Sequence, residues 1–292
     1  MKTSKIKNES TLMRLFRRIG MESIAWSLRR LYCPVNKNDL VLEVGSGGSP
    51  YFRANVLCDA FEETGERFFA PLIKDRPTII AFAEKLPFKD ECFDFVIASH
   101  VLEHSTNPNN FLSELQRVAK SGYIEVPDAF TERLTNYTFH RLEISEDENG
   151  LVIKKKKDFI EDKELYSLFK AKVSNIFPKW MSRFPFQFHV RYYWSKNNGG
   201  IKFKIVNPEI NCNWSVPNVS EETFFKQKSL IGKFKKIILL ILRVLFSQNK
   251  RNKSIDIKSL LKCPDCQNES FNINKNTATC KTCNKDYKVF IP

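Results

Sequence analysis

The chain has 292 residues, 42% of them hydrophobic, enough for one sizeable domain and a small module. Its longest apolar run, residues 237–242, falls well short of the roughly 20 residues that a membrane-spanning helix needs. The net charge of +14 divides into +6 on residues 1–30, +10 on 226–262, +1 on 263–292 and −3 on 31–225. A nucleic-acid enzyme usually carries its basic surface around its site, so a nearly neutral body with basic flanks disfavours that class.

Residues 10–33 have helical spacing, with Leu12, Phe16 and Ile19 on one side and Arg14, Arg17 and Arg18 on the other; Pro34 closes the segment. Five short apolar stretches follow, at 39–44, 56–59, 78–82, 93–99 and 122–126. They are apolar on both faces, as parallel strands covered by helices are. Between the last two, Asn107 is a good N-cap and Pro108 fits the first helical position. Phe111, Leu112, Leu115 and Val118 make an apolar stripe, so a helix is predicted there.

Beyond Pro127 the pattern weakens. The lysine run at 154–157 reads as a solvated strand or loop end. Residues 190–194 and 201–206 flank Asn198-Gly199, a pair suited to tight turns, and predict a hairpin. Over 226–249, Lys233, Lys235, Lys236 and Arg243 alternate with Ile237, Ile241 and Phe246. Such a helix either docks on the body with its lysines solvated or lies in an anionic membrane interface.

The chemistry-bearing stretch is Val41-Leu42-Glu43-Val44-Gly45-Ser46-Gly47-Gly48-Ser49-Pro50, directly after a strand. Glycines there let the backbone turn sharply and approach a ligand. Glu43 ends the strand, where its carboxylate can face a cationic amino group. Asp59 ends the next strand, placed to accept from two ribose hydroxyls. A dinucleotide fingerprint wants a third small residue where Pro50 stands and an acid about 20 residues on, whereas Asp59 follows Gly47 by twelve. A pyrophosphate turn is therefore disfavoured.

With Ala83-Glu84-Lys85-Leu86-Pro87-Phe88, Phe93-Asp94, and Leu102-Glu103-His104, residues 39–127 resemble the class I S-adenosylmethionine-dependent methyltransferases (ubiquinone/menaquinone-biosynthesis-like, type 11). The resemblance implies an α/β, Rossmann-like methyltransferase sheet of seven strands ending in an antiparallel hairpin, which 190–206 would supply. It implies S-adenosylmethionine as cofactor, with Glu43, Gly45, Ser46 and Gly47 near its methionine part and Asp59 on the ribose. Ala83 and Glu84 would lie near the adenine, and Ser99 and His100 would flank the methionine and the substrate mouth. Many relatives carry an acid where this chain has Phe82. The stretch between Gly47 and the second strand is too short for a long helix.

Methyl transfer asks mainly for alignment of donor and acceptor, although a hydroxyl or amine acceptor benefits from a base. His140, beyond the fifth strand, is the candidate catalytic residue. His104 reads as a structural hydrogen-bonder and His189 as a packing residue.

Near the C-terminus, Cys263-Pro264-Asp265-Cys266 and Cys280-Lys281-Thr282-Cys283 stand thirteen residues apart. Two such knuckles bring four thiolates to one tetrahedral zinc, so Cys263, Cys266, Cys280 and Cys283 are the expected metal ligands of a small C-terminal zinc ribbon. The module resembles the ribbon of tRNA-methyltransferase activator proteins. Cys33, Cys58, Cys92 and Cys212 are expected to be reduced thiols. Without a secretory signal, a cytoplasmic location is expected, with peripheral contact to an anionic membrane open.

The expected organisation is a basic helical segment at 1–37, a methyltransferase domain at 38–225, a basic amphipathic linker at 226–262 and the ribbon at 263–292. The expected acceptor is a small molecule or a lipid-linked glycan or quinone-like compound. An RNA- or ribosome-associated methyltransferase and an inactive cofactor-binding scaffold are the alternatives. Nucleic acid is an open but disfavoured partner.

Overall fold

The computed structural model describes residues 9–67, 70–159, 162–215 and 241–291. The chain forms two compact units. One comprises Met1–Pro34, Ala98–Leu112 and Ser121–Pro217, the other Val35–Ile97, Ser113–Lys120 and Asn218–Pro292.

In the first unit, α1 (Thr11–Arg18) starts at Ser10, whose hydroxyl accepts from Met13 N. The helix stops before Gly20, at φ +77°, and α2 (Glu22–Leu28) follows. The break resets the helical phase. Met13 and Ala25 are the buried side chains, whereas Leu12 and Ile19 of the expected apolar side are exposed. Strand β5 (Ser121–Pro127) pairs antiparallel with β8 (His189–Ser195), from Ser121↔Ser195 to Pro127↔His189. Between them lie α4 (Ala129–Thr135), capped by Asp128, the strands β6 (Leu142–Asp147) and β7 (Gly150–Lys155), and the helices α5 (Lys163–Lys172) and α6 (Phe177–Arg183).

The hairpin expected at 190–206 is not formed. The chain leaves β8 through a short 3-10 turn and two left-handed glycines, Gly199 and Gly200. Its next strand, β9 (Phe203–Ile205), joins β7 in a separate sheet of order β6-β7-β9. β9 runs parallel to β7, with Leu151 opposite Phe203. Gly150 permits this: its φ is +125°, and a Cβ there would stand 2.1 Å from Lys202 O. The 154–157 run begins at the end of β7; Lys154 and Lys157 are exposed, as expected of a solvated strand end, but Lys156 is turned inward against buried Glu132.

In the second unit, β1 (Val41–Val44) and β2 (Val56–Asp59) are buried at every residue and pair in parallel. β2 pairs likewise with β3 (Thr78–Ile80), and β4 (Phe95–Ser99) begins beside β1. No helix separates β1 from β2. Instead, buried Arg76 donates to the carbonyls of Tyr51, Phe52 and Ala54 and closes the turn. The edge of β3 is not free. β12 (Asp286–Phe290) pairs antiparallel with it, Val289 opposite Ile79, and carries β11 (Thr277–Cys280) and β10 (Phe271–Asn274) beyond. The strands of this unit therefore depart from the implied form, because the cysteine module supplies three of them, while in the first unit β8 is the one strand of the expected hairpin that pairs with β5.

The predicted helix is α3 (Pro108–Val118); Asn107 Oδ1 accepts from Asn110 N at 3.1 Å, and the apolar stripe is fully buried. Of the 226–249 segment, residues 226–240 lie outside the described residues. Residues 241–246 are helical, and Asn249–Lys253 forms another short helix. Among the described residues no helix is long and apolar enough to cross a membrane.

Candidate functional site

The glycine turn after β1 closes on the end of β2. Gly45 N and Ser46 N donate to Cys58 O at 2.9 and 3.2 Å, and Gly47 N donates to Asp59 Oδ2 at 2.9 Å. Gly45 and Gly47 have φ of +67° and +56°, a region that costs most side chains heavily. Gly45, Ser46, Gly47 and Asp59 are thus brought together. Ser46 Oγ is buried with no hydrogen-bond partner among the described residues. Glu43 is buried one strand position earlier, with Oε2 accepting from Tyr51 N at 2.7 Å, so one of its oxygens orders the chain after the turn.

The loop after β2 lies against the same turn. Ile73 N donates to Gly47 O, and Arg67 Nη1 reaches Asp59 Oδ1 at 3.1 Å. The Arg67 guanidinium also donates to the carbonyls of Phe61, Glu62 and Ala70. Sequence reasoning missed Arg67, because nothing in its spacing marks it as the partner of Asp59. Phe82 is exposed and meets Phe61 edge to face at 5.4 Å between ring centroids. This pair offers apolar faces beside the ends of β2 and β3.

Ala83 is buried and Glu84 half-buried in the turn after β3. That turn is gripped from α3: Glu114 Oε2 accepts from Leu86 N at 2.7 Å, and Arg117 donates to Leu86 O and Phe88 O at 2.8 and 2.6 Å. It is gripped also from the segment before the cysteines, where Lys89 N donates to Leu260 O and Lys262 N to Pro87 O.

Ser99 and His100 lie in the first unit, at the end of β4. Ser99 Oγ donates to Glu125 Oε1 at 3.0 Å, and His100 stands 3.4 Å from Glu125 and 3.5 Å from Glu103. Burial opposes a charge on His100, but the two carboxylates outweigh it and raise its pKa to about 9, so it is an imidazolium near neutrality. Glu125 is fully buried. Burial alone would raise its pKa, yet bidentate Arg29, at 2.8 and 2.9 Å, together with His100 holds it well below the ordinary carboxylate range. Neither Arg29 nor Glu125 carried a sequence signal.

His140 is buried, with Nδ1 2.5 Å from Glu132 Oε2. Glu132 in turn pairs with Lys156. His104 stacks on Phe139 and meets His140 edge to face. His189 packs on Trp26, and its Nδ1 lies 2.9 Å from Pro185 O.

At the C-terminus the Sγ atoms of Cys263 and Cys283 are 3.6 Å apart and those of Cys266 and Cys280 are 3.4 Å apart; all four lie within 4.8 Å of one another. Four sulfurs at about 2.3 Å from one zinc stand roughly 3.8 Å apart, so this set fits a tetrahedral ion. Cys33, Cys58, Cys92 and Cys212 form no disulfide among the described residues.

Residues 42–124 match a protein family described as a methyltransferase domain. The chain is 52% identical over 44 residues to an uncharacterized protein of Methanocaldococcus jannaschii, covering 15% of this chain and 22% of that protein. It thus spans about a fifth of the length of that curated relative. Among solved structures it is similar to a chain from a complex of the Haloferax volcanii Trm112 methyltransferase activator with a candidate methyltransferase. Identity there is 16%, with 47% of this chain and 78% of that one covered and a TM-score of 0.31. A methyltransferase of Aquifex aeolicus gives 18% identity, 40% and 73% coverage and a TM-score of 0.27. A Thermotoga maritima methyltransferase gives 22%, 40% and 54%, and 0.27. The family match thus covers 83 of the 292 residues and is to the methyltransferase domain alone.

Proposed function

We propose that the whole chain transfers the methyl group of S-adenosylmethionine to a small or lipid-linked acceptor, of glycan or quinone-like type. The observation that carries the transferase reading is the match of residues 42–124, which contain the glycine turn, Asp59 and the 83–88 turn. The turn suits the cofactor. Two left-handed glycines leave no Cβ in the way, and the buried Ser46 hydroxyl lacks, among the described residues, a partner that a polar ligand group would provide.

In this reading Gly45, Ser46 and Gly47 hold the methionine part, with Glu43 ordering the chain behind them. Asp59 accepts from the ribose, which requires the Arg67 contact to be shared or released. Ala83 and Glu84 border the adenine, and Phe82 and Phe61 supply its stacking faces. Ser99 and His100 flank the methionine end. When bound, the cofactor supplies a methyl group on a sulfonium leaving group; the protein's task is alignment and exclusion of water. His140 remains the candidate base. Its Nδ1 is tied to Glu132, which leaves Nε2 to accept a proton. Residues 38–225 carry the transferase in this reading, residues 1–37 and 226–262 are basic flanks, and Cys263, Cys266, Cys280 and Cys283 hold one structural zinc in the module 263–292.

The acceptor class rests on charge. Residues 31–225 carry −3 while the basic residues sit in the flanks, which favours a neutral or membrane-held acceptor over nucleic acid. Labelled cofactor offered with lipid, RNA and small-molecule fractions tests it. Label in the lipid or small-molecule pool is expected. Label in RNA alone would replace the acceptor, and cofactor binding without transfer to any pool would make the chain a scaffold.

A further inference from the structure

We infer that Glu103, His104 and His140 form a binding site for a divalent first-row transition ion, made of residues other than the four cysteines and with coordination positions left open for oxygen ligands. One ligand atom from each of the three lies within 4.8 Å of the other two. Glu103 and His104 belong to the short 3-10 turn after β4, and His140 lies between α4 and β6. Two bonds from Arg141 hold these segments together: its N donates to Glu103 O at 2.7 Å, and its Nη1 donates to His104 O at 3.2 Å.

The surroundings prepare each group as a ligand. Glu103 is 2% exposed; Oε1 faces His100 at 3.5 Å, while Oε2 is buried with no hydrogen-bond partner among the described residues. A carboxylate oxygen stranded in this way is costly, and a cation would satisfy it. His140 has its Nδ1 against Glu132, itself 1% exposed and paired with Lys156. A histidine whose one nitrogen is held by a buried carboxylate presents the other as a lone pair, the usual support of a metal-bound imidazole; an ion held there takes the lone pair that the base role of His140 would use, so the site replaces that role. His104 is half-buried, which leaves an approach from solvent.

Two imidazoles and one carboxylate suit zinc, iron, manganese, cobalt or nickel better than calcium or magnesium, and three protein ligands leave positions for a water or a substrate oxygen. Ligands at about 2.1 Å from one ion stand roughly 3–3.5 Å apart, so binding draws this set inward. The rival arrangement is a hydrogen-bonded cluster with no affinity for an ion, and direct titration separates the two.

The test uses the full chain with its cysteine cluster first loaded with zinc, then titrated with Mn(II) and read by the paramagnetic resonance of the free ion. Manganese avoids thiolate sites, so the ribbon does not contribute. One Mn(II) per chain is expected for the parent. Glu103→Gln and His140→Gln should each weaken binding by tenfold or more, and Glu132→Gln by about tenfold through His140. Should the buried variants melt early, half-buried His104→Gln decides the matter on a folded chain. No bound Mn(II), together with no change in Co(II) absorption, would overturn the site, as would unaltered affinity in folded His104→Gln. None of these readouts requires methyl transfer, so failure of the transferase reading leaves them intact.

Discussion

Asp59 is where the proposed cofactor site is most exposed to experiment, because three groups of the protein already use its carboxylate: Gly47 N, Phe61 N and Arg67. Asp59→Ala removes the ribose acceptor and loosens the turn. Charge-assisted hydrogen bonds contribute about 1.5–3 kcal/mol each, so cofactor affinity measured by calorimetry should fall more than tenfold. Gly45→Val places a β-branched side chain at φ +67° and should have a similar effect. Arg67→Ala acts in the opposite sense on binding. It frees Asp59 for the ribose and should tighten the cofactor, while losing its loop bonds costs about 1–3 kcal/mol of stability. Weaker binding by Arg67→Ala would place the guanidinium in the bound state instead. The glycines and Asp59 were legible because turn chemistry is local. Arg67, Phe61 and Glu125 were not, since their roles depend on which side chain the fold sets opposite them.

At the scale of elements, the 83–88 turn is clamped from two directions, by Glu114 and Arg117 of α3 and by residues 260–262 ahead of the cysteines. β12 adds backbone bonds to β3 itself. The order of the cysteine module should therefore reach the adenine side of the proposed site. Removing the proposed zinc with a chelator, or by Cys263→Ser with Cys266→Ser, is expected to lower both the melting temperature and the cofactor affinity. Retained affinity in the metal-free chain would show that the β12–β3 pairing survives without the ion. Glu114→Gln weakens the other clamp alone, and should reduce affinity with zinc content unchanged, checked by elemental analysis beside calorimetry. The strands and α3 were legible from apolar runs and caps. The β8–β9 hairpin was misread because Asn198-Gly199 fixes a turn but not the partner of the strand that follows it.

For the whole molecule, the charge lies away from the proposed transferase stretch, and residues 226–262 alone carry +10. Within the described part of that segment Ile241, Val244, Leu245 and Phe246 are all at least half exposed. An exposed apolar helical face in a segment of such charge suits an anionic lipid surface, where each basic residue contributes about 1 kcal/mol. Co-sedimentation should show salt-sensitive binding to anionic but not neutral vesicles, and Ile241→Glu should abolish it without altering the melting temperature. Equal recovery with both vesicle types would remove the membrane from the proposal.

The sequence by itself determined the sheet strands, the glycine turn, Asp59 and the four-cysteine set, because periodicity, left-handed backbone positions and ligand spacing are properties of neighbouring residues. The tertiary structure alone decided that β12 extends the sheet at β3, that β9 leaves β8 for β7, and that Arg67 takes Asp59. It likewise decided that Glu103, His104 and His140 converge. Each of these is a contact between distant segments, set by which edges and side chains remain unsatisfied once the local elements have formed.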